Sequence, residues 1–327
     1  MSVDLSNSDL SNVKTMRFMF VLCYNLEYIN LTNINISSTE DMSYMFYDCR
    51  SLILIDLSNL DISKSKDISG MFFLCDMLEN VNLSNTNLSS EINLDSLFSC
   101  CINLISIDLS NSDFSSVKDI SSIFSLNGNL EYINLINVNL SSAENMSRLF
   151  EDFKKLKSID LSNSDLSNVK SMESMFNNCL SIEYINLTKI KMSSTENIKY
   201  LFYECKSLIS IDLSFSDLSS VKYMESMFYQ NNNLEFINLT NIILTNVENM
   251  SYLFYDWQGL VSIDLSNSYI NIVNNISYMF GICISLQYIN LTNIIISLIE
   301  DMSYLFYNCQ SLESTNLSYL NIEKVKN

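Results

Sequence analysis

Residues 104–114 read LISIDLSNSDF. The centre of this stretch alternates the apolar Ile107 and Leu109 with the polar Asp108 and Ser110. Alternation with a period of two residues is typical of a strand that has one buried face. The stretch therefore predicts a short strand, followed by a turn within the polar residues that come next.

The same stretch recurs every 26 residues, without insertion or deletion. A leucine marks each copy, and a phenylalanine follows fifteen residues after each of the first twelve leucines, from Phe20 to Phe306. The marker leucines are Leu5, Leu31, Leu57, Leu83, Leu109, Leu135, Leu161, Leu187, Leu213, Leu239, Leu265, Leu291 and Leu317. Such phasing predicts one solenoid domain over residues 1–327, without separate caps, because each copy buries its apolar face only against its neighbours.

The second half of each copy changes its period. Met172, Met175, Phe176 and Cys179 lie at i, i+3, i+4 and i+7, which is one apolar face of a helix of two to three turns. Neighbouring strands lie about 4.8 Å apart, whereas packed helices need about 8–10 Å, so the stack is expected to curve. The prediction is an α/β solenoid of the leucine-rich-repeat type, a horseshoe with a concave parallel sheet and short convex helices.

Adjacent copies alternate, which gives a second period of 52 residues. The residue before the marker leucine is Asp in one copy and Asn in the next, as in Asp108 and Asn134. Three residues before the leucine, an aromatic residue recurs on every second copy through most of the chain. The candidate binding residues on the predicted concave face are Tyr28, Tyr132, Tyr184, Phe236, Tyr288, Asp108, Asp160 and Asp212. Tyrosine anchors interfaces at low entropy cost; the alternative is that it serves strand propensity on a half-exposed face.

Several classes of site and partner are not expected. The formal net charge of −19 argues against nucleic acid and against an anionic membrane surface. No stretch reaches 18 uncharged apolar residues, and the first residues do not read as a signal peptide. No arrangement of unlike residues breaks the repeat, so we expect no enzyme, no catalytic residues and no cofactor.

The cysteines and the acidic ladder are interpreted as structural. Eight of the nine cysteines occupy one position on the apolar side of the copy, which favours packing. Histidine and CxxC pairs are absent from the sequence, which argues against zinc. The Asp/Asn ladder lacks the glycine-rich turns of calcium repeats, so we expect no metal.

The copy at Leu208–Ser214, with Asp217, Val221, Met224 and Met227–Phe228, resembles the BspA family of leucine-rich-repeat surface proteins and their 26-residue repeat. The resemblance covers the whole chain. It implies a surface-exposed or secreted protein that acts in adhesion or host interaction. A cytoplasmic location stays open, because no signal peptide or wall anchor is recognisable.

Two hypotheses for function follow. The first is a non-enzymatic interaction scaffold that binds an unidentified protein or glycan partner through its concave face, without inserting into a membrane. The second is a structural protein that associates end to end with further copies of itself, since unpaired strand edges template association.

Overall fold

The computed structural model describes residues 1–315 apart from 89–91, 163, 188–189, 214–216, 240–241, 267, 269, 271 and 293–297. The thirteenth marker leucine, Leu317, lies outside the described residues. The chain divides into two compact units, Met1–Leu156 (unit 1) and Lys157–Asn327 (unit 2). Each unit, by itself, is a parallel β-solenoid, and the single domain over residues 1–327 stays a prediction.

Unit 1 contains eight short strands. They are β1 (Ser2–Asp4), β2 (Tyr28–Asn30), β3 (Leu54–Asp56), β4 (Asp61–Ile62), β5 (Asn80–Asn82), β6 (Asn87–Leu88), β7 (Ser106–Asp108) and β8 (Tyr132–Asn134). β1 pairs with β2, β3-β5-β7-β8 form a second sheet, and β4 pairs with β6. All of these pairs are parallel, and each residue pairs with the one 26 positions further on.

Unit 2 contains seven short strands. They are β9 (Ser158–Asp160), β10 (Tyr184–Asn186), β11 (Ser210–Asp212), β12 (Phe236–Asn238), β13 (Ser262–Asp264), β14 (Tyr288–Asn290) and β15 (Ser314–Thr315). β9-β10-β11-β12 form one sheet and β13-β14-β15 form another, both parallel. The strand positions and the 26-residue register agree with the sequence prediction.

The core lies inside the coil of each unit. The middle residue of a strand and the marker leucine two residues later both point inward. Ile107 and Leu109 are accordingly buried. In unit 1, Leu31, Leu57 and Leu83 line the same small apolar cavity, as expected for leucines stacked in register. Burying the same side chain in every copy gives each unit a continuous hydrophobic interior.

Polar side chains cap the corners of most copies, up to three in one copy. Asp56, Asp61 and Asp67 each accept, through Oδ1, the backbone N–H of the residue two positions later, at 2.9, 3.1 and 2.8 Å. This is the Asx turn, in which a side-chain oxygen replaces a backbone carbonyl. Most corners are therefore made with Asp, Asn, Ser or Thr rather than with glycine or proline, which is consistent with the unusual composition.

The predicted convex helices are wrong, because no helix occurs in the part of the chain that the structure describes. The segment instead consists of tandem turns. Met175 N donates to Met172 O at 3.2 Å and Cys179 N to Phe176 O at 3.3 Å. Between these turns, Phe176 N donates to Leu201 O of the next copy at 3.0 Å. Hydrogen bonds between copies take the place of the i to i−4 bonds of a helix.

The spacing between copies explains this difference. The Phe176 ring lies 5.7 Å from the Phe202 ring, and Phe202 lies 5.5 Å from Phe228. Packed helices need about 8–10 Å between their axes, so helices do not fit at this spacing. The chain reverses instead through left-handed residues, as at Ser174 and Asn178, both with φ of 57°.

Candidate interaction surface

The outward side of the strands, called the strand face here, carries the predicted aromatic residues. In unit 2, four paired strands begin with Ser158, Tyr184, Ser210 and Phe236 in register. The Tyr184 and Phe236 side chains are 53% and 57% exposed. Tyr288 is also exposed, between Ser262 and Ser314 in the second sheet. An aromatic residue thus alternates with serine along the strand face of unit 2.

The strand face of unit 1 is less regular. Tyr28 and Tyr132 are exposed there, as predicted. Between them the outward positions hold Leu54 and Asn80, and the Ser106 hydroxyl donates to Asn80 Oδ1 at 2.6 Å. The predicted aromatic residues of unit 1 therefore do not form an alternating row with serine, and unit 2 offers the better defined surface.

The predicted acidic residues lie at the ends of the strands that begin with serine. Asp160 and Asp212 are exposed, whereas Asp108 is half-buried. The hydroxyl and N–H of Ser162, followed by the Asn186 amide, lower the pKa of the Asp160 carboxyl. Asp160 is therefore ionised at neutral pH, and it closes the Asx turn as well as adding charge to the strand face.

The rings of the strand face do not stack on one another. Neither Tyr184 nor Phe236 contacts another aromatic ring among the described residues. Because two strand intervals separate them, their backbones are about 9.4–9.8 Å apart. Two carbon contacts need about 7–8 Å, so the gap above Ser210 has room for one flat or slender group between the rings.

A second aromatic surface in unit 2 was not singled out in the sequence. Here the rings cover one another: the centroids of Tyr203 and Tyr229 are 4.5 Å apart and those of Tyr252 and Tyr278 are 4.8 Å apart. This tyrosine band comprises Tyr200, Tyr203, Tyr229, Tyr252, Tyr255, Tyr278, Tyr304 and Tyr307. The sequence pattern that could have revealed it is a tyrosine at one or both of two positions, three residues apart in each copy, within the segment predicted as helix.

The cysteine position belongs to the core. Cys75 Sγ donates to Phe46 O at 3.1 Å, and Cys205 Sγ donates to Phe176 O at 3.0 Å. Burial raises the pKa of the Cys101 thiol to about 12, so it stays protonated. The predicted packing role is confirmed for the buried cysteines. Within the described ranges, no group of three or more His, Cys, Asp or Glu side chains is placed to hold a metal ion.

The repeat matches one family over its whole length. The sequence profile of the family described as "Mycoplasma protein of unknown function, DUF285" matches residues 1–106, 92–214, 181–293 and 222–327. The chain belongs to the DUF285 family. A comparison with curated protein sequences gives no match for this DUF285 chain.

Solved structures similar to this DUF285 chain are leucine-rich-repeat proteins. One from Bacteroides ovatus has 20% identity and a TM-score of 0.50, over 91% of this chain and 75% of the other. A leucine-rich cell surface protein from Faecalibacterium prausnitzii has 16% identity and a TM-score of 0.41, over 97% and 89%. A chain of the Toll–Spatzle complex from Drosophila has 18% identity and a TM-score of 0.41 over 84% of this chain, which spans 40% of that chain.

The likeness to the Bacteroides ovatus protein supports the leucine-rich-repeat type of fold for this DUF285 chain, and the BspA resemblance holds at that level. The family comparison points to no enzymatic family. Among the described residues, the structure contains no helix that is long and apolar enough to cross a membrane.

Proposed function

We propose that this DUF285 protein is a non-enzymatic interaction scaffold that binds a partner protein through its strand face. The observation that carries the proposal is the pair of open rings, Tyr184 and Phe236, on either side of Ser210. Large exposed aromatic side chains supply much of the binding energy at protein interfaces. A row of them on a rigid sheet pays little entropy on binding, because the backbone is already fixed.

The tyrosine band argues against a purely structural role for the open rings. Where aromatic residues stabilise this fold, they recur on adjacent copies and stack, as Tyr203 does on Tyr229 at 4.5 Å. On the strand face a serine lies between successive rings instead, so Tyr184 and Phe236 do not stack on each other. Strand propensity alone favours a ring on every copy. The alternation with serine is better suited to receiving groups from another molecule.

We place this function at the cell surface, in adhesion or host interaction, because the 26-residue repeat resembles that of BspA-type surface proteins. End-to-end self-association is the alternative proposal. Light scattering of the purified chain over a concentration series separates the two, because a binding scaffold is expected to keep a constant mass.

The proposal is tested by probing one array of immobilised peptides and glycans with the full chain and with two variants. The double variant Tyr184→Ser, Phe236→Ser removes the open rings. The control Tyr304→Ser removes an equally exposed tyrosine from the tyrosine band, at 59% exposure. We expect array ligands that bind the full chain and the control but not the double variant. If every bound ligand is retained by the double variant, the strand face is not the binding surface.

A further inference from the structure

The 52-residue period places a carboxylate in register with each gap between the rings. Strand β11 begins with Ser210, which forms the floor of the gap, and ends with Asp212. Residues two apart on a strand point to the same side, so Asp212 shares the strand face with the gap between Tyr184 and Phe236. The aromatic strands end in asparagine instead, as β10 does at Asn186. The gap above Ser210 therefore has two aromatic walls, a serine floor and one carboxylate, and the sequence repeats this set one period further on, with Ser262 and Asp264.

This combination fits a cationic side chain. An Arg or Lys placed against an aromatic face is attracted by the ring quadrupole, and the planar guanidinium also stacks on such faces. The formal net charge of −19 adds a long-range attraction for a basic partner. Of the nearby charges, Glu235 adds another exposed carboxylate, while Lys157 and Glu183 neutralise one another at 2.9 Å.

The spacing of the gaps selects the conformation of the partner. The gap above Ser210 spans two strand intervals, about 9.4–9.8 Å. The copies that carry Phe236 and Ser262 are joined at their turns, where Phe254 N donates to Met279 O at 2.9 Å, so we expect the next gap, above Ser262, at the same spacing. A polyproline-II helix has three residues per turn and advances about 9.3 Å in that turn. Side chains on one side of an extended strand recur at about 6.6–6.8 Å, and those of an α-helix at about 5.4 Å per turn. The polyproline-II repeat agrees best with the spacing of the gaps, since two turns of an α-helix advance about 10.8 Å.

Resting on the proposed function, we propose that the strand face of unit 2 binds a basic polyproline-II segment of a partner protein with Arg or Lys at every third residue. One cationic side chain enters the gap above Ser210, between Tyr184 and Phe236 and beside Asp212. The next enters the equivalent gap above Ser262, one 52-residue period further along the sequence. Neighbouring prolines keep the segment extended and hold the cations in step with the gaps.

The test uses two labelled peptides of identical composition. One is four repeats of Arg-Pro-Pro, and the other is four repeats of Arg-Pro followed by four prolines, in which no two arginines are three residues apart. Fluorescence anisotropy gives the Kd of each for the full chain at about 0.15 M salt, where long-range charge effects are largely screened. We expect the repeating peptide to bind at least about fivefold more tightly, since only it places separate cations in separate gaps.

Three variants locate the site. Tyr184→Ser with Phe236→Ser is expected to abolish the preference for the repeating peptide, and Tyr304→Ser to retain it. Asp212→Asn is expected to weaken binding of the repeating peptide about threefold or more. Asparagine occupies the corresponding position on alternate copies, as at Asn134, so this variant removes the charge and introduces a side chain that the repeat already carries there.

Equal affinity for the two peptides, or a preference that survives the double variant, overturns the inference. The array experiment keeps this failure distinct from failure of the proposed function. If the array yields glycans or non-basic peptides that need Tyr184 and Phe236, the strand face is a binding surface and the partner class is wrong. If no array ligand needs these rings, both proposals fail.

Discussion

The side-chain amide of Asn231 donates to the backbone carbonyl of Phe202 at 2.8 Å, across the step between adjacent copies. One copy earlier, the thiol of Cys205 donates to the carbonyl of Phe176 in the same way, at 3.0 Å. In these two copies the position holds a small buried donor, which either residue supplies. Asparagine is the poorer choice, because its Oδ1 is buried without a donor among the described residues.

We accordingly predict that Asn231→Cys stabilises the protein by about 1–2 kcal/mol, because the thiol keeps the donation and removes the unsatisfied acceptor. The reciprocal change Cys205→Asn is expected to destabilise it by a similar amount. Urea unfolding of both variants under reducing conditions measures the effect. Changes of the same sign in the two variants would contradict the shared role of the position.

A second prediction concerns the tandem turns. Leu126 has a φ of 64° and is 60% exposed. The left-handed conformation costs a non-glycine residue about 1–2 kcal/mol, and glycine adds about 0.4–1 kcal/mol of unfolded-state entropy. Leu126→Gly is therefore expected to raise the free energy of unfolding by about 0.5–1 kcal/mol. In a helix, the same change would lower it by about 1 kcal/mol.

The matched control is Ile102→Gly in the same unit. Ile102 is 51% exposed and is not among the residues with positive φ. At this position glycine relieves no backbone strain. We expect the free energy of unfolding to fall by about 0.4–1 kcal/mol, because glycine raises the entropy of the unfolded chain. Thermal unfolding of the two variants should shift in opposite directions. A downward shift in both would favour a helix over the tandem turns.

The sequence was sufficient for the strands because their pairing follows directly from the repeat. With one length for every copy, Ile107 has no register to adopt other than facing Ile133, 26 residues later. The helix prediction failed because Met172, Met175, Phe176 and Cys179 point inward from tandem turns as well as from a helix. The spacing between copies distinguishes tandem turns from a helix. This spacing cannot be read from the residue pattern within one copy.

The candidate surface, too, was predicted from the sequence only in part. Alternation within the strand predicted that Tyr184 and Phe236 point outward, and both are exposed. The two rings stand apart because a serine lies between them, and this alternation is visible in the sequence. The stacked tyrosine band was missed because its residues, such as Tyr203 and Tyr229, lie in the segment assigned to a helix. What binds to the strand face is a property of the partner, so the binding role stays a prediction.

Stability is expected to fall at alkaline pH. Burial raises the pKa of the Cys49 thiol from 9.0 to about 12 and that of the Tyr203 phenol from 10.0 to about 12. Above pH 9 the unfolded chain therefore loses these protons while the folded chain keeps them. Fewer protons on the unfolded state means that the free energy of unfolding decreases as pH rises.

The measurement is the urea midpoint at a series of pH values from about 8 to 11, under reducing conditions. We expect a decline that begins near pH 9, and a shallower decline in Cys49→Ala, which has one fewer buried thiol to titrate. Although this variant is less stable at neutral pH, the comparison concerns the slope. A midpoint that is level across this range would mean that these groups are accessible to solvent in the folded state.

The last prediction concerns the phenylalanine ladder. The Phe202 ring is fully buried, between Phe176 at 5.7 Å and Phe228 at 5.5 Å. Phe202→Ala is expected to cost about 3–5 kcal/mol, because it leaves a cavity between rings that belong to separate copies. Phe306 is half-buried and stacks on Phe280 at 5.9 Å, so Phe306→Ala should cost about half as much.

Urea unfolding of the two alanine variants compares these costs, with Phe202→Leu as a control that keeps most of the apolar volume and removes the ring. We expect the order of stability to be Phe306→Ala above Phe202→Ala, with Phe202→Leu closer to the unmodified chain. If each copy depends chiefly on its two neighbours, a fully buried ring stacked between two others must matter more than the half-buried Phe306 ring, which stacks on one ring among the described residues. Equal losses at Phe202 and Phe306 would therefore argue against a stack stabilised by nearest-neighbour contacts.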